Sequence, residues 1–190
     1  MIKEQIKIKG VTPLLMSSER CANPIDPLSK QIKELTGKRK KTDEDLEQIA
    51  RLEWEGQLYM NGEGPVIPGE NVEAMIRDGA KFVRMGRNIQ RGLQVVEQKI
   101  KLEYSGPRDI EGLWNQRDKF SDMRSVVLQK KRIMRCRPIF HEWTGSFSVL
   151  VNADILNPDE VVQFFRTAGQ IEGLCENRTN GYGRFEVESL

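Results

Sequence analysis

The segment ENRTNGYGRFEVESL, residues 176–190, sets Gly181 and Gly183 around a tyrosine, places Arg178 and Arg184 on either side, and runs straight into Phe185-Glu186-Val187. Glycine tolerates backbone angles and close approaches closed to other residues, so Gly181-Tyr182-Gly183 has two readings. It is a cradle whose main-chain N–H groups meet a phosphate, or it is an Asn-Gly turn feeding a half-buried strand. The alternation that follows makes 183–188 a strand in both readings. What that strand pairs with decides the fold.

Upstream, NPDEVVQFFRTAG (157–169) carries the signals of a helix. Asn157 caps it, Pro158 takes the first position, acids fill the first turn, Val161, Val162, Phe165 and Ala168 face inward, and Gly169 ends it. Before it, SFSVLV (146–151) turns Phe147, Val149 and Val151 one way, as a strand does. At the other end of the sequence Ile2, Ile6 and Ile8 share a parity against Lys3, Lys7 and Lys9, so residues 2–9 are a strand with one buried face. Turn-formers at 17–26 lead to Pro27 and a helix with Leu28, Ile32 and Leu35, stopped by Gly37. A charged linker follows, GKRKKTDED, in which Thr42 and Asp45 form a capping box for a helix carrying Leu46, Ile49, Ala50 and Leu52. These two helices read as an insertion over 17–60.

GQLYMNGEGPVIPGE reads as a small hairpin around Asn61-Gly62. A helix over 70–84 then puts Val72, Met75, Ile76, Gly79 and Val83 on one face and Arg77, Lys81 and Arg84 on another. RMGRNIQRGLQ, with Arg87 and Arg91, lacks an apolar period and is placed in a mobile basic loop. Residues 95–104 and 125–136 read as strands. With 10–68 set aside, the order is strand, helix, strand, one or two strands, helix, strand. That is an α+β, ferredoxin-like split βαβ sheet with helices on one face, the arrangement RNA-recognition modules use, in a single domain over 1–190.

The 190 residues carry a formal net charge of only +2 on 30 basic and 28 acidic side chains, so any nucleic-acid footprint has to come from clustering. Cys21, Cys136 and Cys175 are too dispersed for a disulfide framework or a zinc site, which fits a reducing cytoplasm. The first residues, MIKEQIKIKGVTPLLM, hold no apolar run long enough for a signal peptide, and no window fits a membrane helix.

IKIKGVTPLLM, VIPGENVEAMIRDGAK and ENRTNGYGRFEV together resemble the first strand, the start of the first helix and the C-terminal glycine-rich loop of the RAMP superfamily, which includes RNA-binding backbone and processing subunits of CRISPR effector complexes. The resemblance implies a binder of single-stranded nucleic acid, and homo-oligomers or filaments along the strand. A chain this compact also resembles uncharacterised phage-type proteins. In the family the glycine loop lies against the sheet and first helix, which implies that Arg178 and Arg184 neighbour Arg77 and Lys81. Only Gly-Tyr-Gly of the longer glycine pattern stands next to the strand here.

Three basic groups are the candidate nucleic-acid-binding residues. Arg77, Lys81, Arg84, Arg87 and Arg91 form the first, and Arg178 and Arg184 with Tyr182 the second. The third is Lys131, Arg135 and Arg137 in an acid-free run, where a cation stripe along a backbone and a lysine-protected strand edge both remain open. Tyr182, Trp114 and Phe120 have base stacking and burial as alternatives. His141, beside Glu142, raises a metal-independent ribonuclease, but no acid–base partner stands near it. Asp26 lies where some family members carry a cleaving aspartate, and equally well starts a helix. The expectation is therefore a non-catalytic binder without cofactor, metal or small-molecule substrate. A protein-interaction module that mimics or engages a host defence complex is the alternative, and a ribonuclease the third reading.

Overall fold

The computed structural model describes residues 1–128 and 130–188. The chain opens with β1 (Ile2–Gly10), β2 (Leu14–Leu15), α1 (Pro27–Gly37), α2 (Asp43–Gln57), β3 (Met60–Asn61) and β4 (Gly64–Pro68). Then come α3 (Gly69–Ala80), α4 (Gly86–Gly92), β5 (Leu93–Val95), β6 (Lys99–Glu103), α5 (Ile110–Asn115) and α6 (Arg117–Phe120). It closes with β7 (Ser121–Leu128), β8 (Lys131–Phe140), β9 (Thr144–Val151), α7 (Pro158–Ile171) and β10 (Phe185–Glu188). These pack as two compact units, one of residues 1–14, 60–105 and 140–190, the other of 15–59 and 106–139.

The first unit holds a seven-stranded antiparallel sheet in the order β10-β1-β9-β6-β4-β3, with β5 also on β9. Taken with α3 and α7, the order β10, β1, β9, β6 is the ferredoxin-like split βαβ, so the fold is α+β as the sequence led us to expect. The strand expected at 183–188 pairs with the first strand through Ile8↔Val187 and Gly10↔Phe185. On its other side β1 pairs with β9 through Ile6↔Phe147 and Ile8↔Gly145. The period-2 alternation sends Ile6, Ile8, Ile100, Leu102, Phe147, Val149, Val151 and Phe185 to one buried face. There they meet Val72, Met75 and Ile76 of α3 and Val161, Phe165 and Ala168 of α7, each large side chain contributing about 1.5–3 kcal/mol by burial. Phe147 and Phe165 meet edge to face, ring centres 5.6 Å apart. Lys3, Gln5, Lys7, Lys9 and Ser146 face water on the opposite side.

In the second unit Asp26 caps α1 by accepting from the Leu28 N–H at 2.9 Å, and the Thr42–Asp45 capping box of α2 forms reciprocally at 3.1 and 3.2 Å. The core is Trp54, whose ring lies 5.3 Å from that of Trp114 and whose Nε1–H donates to the Phe120 carbonyl at 2.8 Å. A three-stranded sheet, β2-β8-β7, completes it, and Gln57 Nε2–H donates to the Cys136 carbonyl at 3.0 Å.

Three expectations are corrected. Residues 125–136 are not one strand of the main sheet but parts of the β7–β8 hairpin, with Lys130 at φ 66° in its turn. The sequence carries no Gly or Asn-Gly there to mark the reversal. The helix expected over 70–84 breaks at Ala80 into a 3₁₀ turn, Lys81–Val83, which leaves Val83 exposed. The mobile basic loop is the helix α4, because Ile89 is buried and two glycines let the backbone approach its neighbours.

Candidate nucleic-acid interface

The close approach of α4 to α3 makes the site. A methyl at Gly86 would lie 3.1 Å from the Arg77 carbonyl and 3.0 Å from Lys81 Cγ, and one at Gly92 would lie 2.9 Å from Leu156 Cγ. Between the helices Arg84 takes the left-handed region at φ 60°, with its N–H donating to the Lys81 carbonyl at 3.0 Å. The Met85 N–H donates to the Ala80 carbonyl at 2.9 Å, and the reversal is closed. The helical spacing of Arg77 and Lys81 and the turn at Arg84 then bring the cations of both helices together.

The result is an open groove of about 320 Å³ lined by Arg77, Lys81, Arg84, Gly86, Arg87 and Gln90. No acid lines it, in keeping with the absence of any Asp or Glu from Gly79 through Val96. Among the described residues no ion pair joins Arg77, Arg84, Arg87 or Arg91 to an acid. Beside the groove Asp78 stands 2.6 Å from Lys81 Nζ and 3.5 Å from Arg178 Nη2, Arg178 also reaches Glu172 at 3.9 Å, and Glu73 lines a smaller hollow with Arg77 and Gln90. Burial opposes the ionisation of Asp78, but the hydrogen bond from Lys81 and the fields of Lys81, Arg178 and Arg77 outweigh it and hold the carboxyl below the usual range. Uncompensated cations side by side repel one another, and a bound polyanion relieves that repulsion.

Arg178 thus belongs to this neighbourhood through Asp78, as the resemblance implied. Arg91 is exposed in the last turn of α4 and does not line the groove. Arg184 turns inward: its Nη2 donates to the Arg178 carbonyl at 3.3 Å, and its Nη1 is buried without a hydrogen-bond partner among the described residues. The glycine loop is a turn and not a cradle. The Gly181 N–H donates to the Arg178 carbonyl, that of Gly183 to Pro13 at 2.8 Å, and that of Arg184 to Thr12 Oγ1 at 2.8 Å. A methyl at Gly183, φ 68°, would lie 2.1 Å from the Leu174 carbonyl oxygen, so glycine is there for packing. Tyr182 is half-buried.

Arg135 and Arg137 fall in the second unit, where Arg135 pairs with Glu53 and Arg137 is half-buried, while the Lys131 side chain lies outside the described residues. Arg124, on the same hairpin face, pairs with Asp122. Trp114 and Phe120 are core residues, 7 % and 6 % exposed, and do not offer rings to a base. Asp26 is held as a cap and pairs with Arg20 at 3.3 Å, and His141 is exposed. Two features escaped the sequence reading: Gln90 in the groove, and the exposed Phe82 in the adjoining hollow, which continues the apolar spacing of Met75 and Gly79 and would read as buried had α3 not ended at Ala80. Among the described residues no cluster of His, Cys, Asp or Glu fits a metal ion, and no helix is long and apolar enough to cross a membrane.

No protein-family model and no curated protein matches this sequence. Among solved structures, it is similar to a chain in the cryo-EM structure of the Type III-B Cmr-beta bound to cognate target RNA, with a TM-score of 0.60 and 11 % identity over 98 % of this chain. This chain spans 58 % of the length of that one, and the likeness is one of fold.

Proposed function

We propose that the protein is a non-catalytic binder of single-stranded nucleic acid that holds the strand by its phosphates in the groove between α3 and α4. The observation that carries this is a groove with four cationic side chains and no acid, Arg77, Lys81, Arg84 and Arg87. Contacts of that kind give affinity without reading sequence, so binding depends on salt and little on base order. The fold neighbour is a chain of a complex bound to cognate target RNA, which makes RNA the first strand to test and DNA the second. Side-by-side binding of several copies on one strand is the oligomeric form consistent with this reading.

The test is fluorescence anisotropy with labelled mixed-sequence 30-mers of RNA and DNA across a salt series, for the parent, Arg84→Ala and Arg39→Ala. The parent binds at low salt, and Arg84→Ala loses affinity for every sequence alike. Arg39, in the exposed α1–α2 linker, serves as the solvated control. No binding by the parent, or an equal loss for Arg39→Ala, rejects the reading. The second reading, a protein-interaction module, draws on Met123, Val127 and Met134, exposed together on one face of the β7–β8 hairpin.

A further inference from the structure

Phe82 is 72 % exposed, and among the described residues no other phenyl, phenol or indole ring is exposed. Its backbone is fixed, since it is the middle residue of the 3₁₀ turn Lys81–Val83, closed behind by the hydrogen bonds from Arg84 to Lys81 and from Met85 to Ala80. This turn therefore presents a flat apolar ring to water on a segment whose neighbours in sequence, Lys81 and Arg84, both line the groove. Phe82 lines an open hollow of about 480 Å³ with Asp78, Lys81 and Glu172. That hollow shares Lys81 with the cationic groove and differs from it in charge, because two carboxylates stand in it. Carboxylates repel a phosphate but accept hydrogen bonds from the amino group of a base.

Resting on the proposed function, we infer that Phe82 is a base-stacking residue of this interface: phosphates lie in the groove, and one unpaired base lies on the Phe82 ring in the adjoining hollow. Every base has a π-face, so the contact tolerates any sequence, but it needs a base free of its duplex stack. The ring thus makes the site selective for single strands, which the cations alone do not.

The experiment compares the parent, Phe82→Ala, Phe82→Trp and Arg84→Ala on a labelled single-stranded 30-mer and on the blunt duplex of the same sequence, across salt. Phe82→Ala weakens single-strand binding roughly 5- to 100-fold, leaves the salt slope unchanged and leaves duplex binding unchanged. Arg84→Ala lowers the salt slope on both. Phe82→Trp binds as the parent does, and its added fluorescence is quenched by the strand; the native tryptophans, Trp54, Trp114 and Trp143, are all buried, so the new signal stands apart. Far-UV circular dichroism confirms that each variant folds. If Phe82→Ala binds like the parent while Arg84→Ala does not, the stacking role is wrong and the phosphate groove stands. An equal loss on single strand and duplex also overturns stacking. Self-association in sedimentation that Phe82→Ala disperses makes the ring a protein contact instead, and no binding by any form removes both proposals.

Discussion

A methyl group on Gly79 of α3 would stand 2.6 Å from Cβ and 2.9 Å from Cα of Ala168 on α7, so the two helices meet backbone against backbone. Nothing flexible is there to yield, since the neighbour is itself a methyl on a main chain. Gly79→Val is expected to cost about 1–3 kcal/mol by overpacking, seen as a Tm lowered by roughly 2–4 °C for each kcal/mol in thermal unfolding. An unchanged Tm would mean that the helices do not cross at this point.

The groove series tests which cations touch the strand. Arg77→Ala and Arg87→Ala should each lower the salt slope of single-strand binding by roughly 0.7, the value for one phosphate contact. Arg91→Ala, outside the groove lining, should lower it less. Equal effects at all three positions would point to a diffuse field and not to a groove.

Asp26 separates capping from cleavage. Asp26→Asn keeps a side-chain oxygen for the Leu28 N–H and should leave Tm unchanged, whereas Asp26→Ala should lower it. Labelled RNA incubated with the parent in EDTA should stay intact on a denaturing gel. Cleavage by the parent that both variants abolish would make Asp26 a catalytic residue.

Burial pushes the Cys136 thiol up to about 11, against some relief from a hydrogen bond with Ser121. A folded-state value above the unfolded one means the native protein keeps a proton that the unfolded chain releases. Stability from this group is complete below about pH 9 and is lost as pH climbs towards 11. The fall in Tm over that window should be shallower in Cys136→Ala than in the parent. Identical slopes would show that the thiol is hydrated.

Much of the fold could be read from the sequence because its signals are local. The alternation of Ile6 and Ile8, the cap and proline at Asn157-Pro158, and the reciprocal Thr42–Asp45 box each depend on a few adjacent residues. What escaped depends on tertiary approach. Residues 84–94 show no apolar period because α4 is anchored by one side chain, Ile89, and by two glycines whose worth is the space they leave. The β7–β8 reversal at Lys130 uses a non-glycine left-handed residue, for which sequence offers no marker. At the site, the grouping of Arg77, Lys81 and Arg84 was visible as helical spacing, although Arg84 reaches it through a left-handed turn, and Arg87 joins them only through the fold-back. The inward turn of Arg184 was invisible for the same reason, since Thr12 and Pro13, which hold its loop, lie far away along the chain.

The position of β1 between β9 and β10 has a consequence for synthesis. β1 is an inner strand of the finished sheet that is made before both of its neighbours, and Ile6 has no partner until Phe147 has been translated. At about 5–20 residues per second that is a wait on the order of 10 s, during which the apolar side of residues 2–9 is uncovered in the nascent chain. Such long-range pairing folds slowly. Nascent chains stopped before β9 should therefore be degraded by added protease over residues 2–9, and chains extended through β10 should resist.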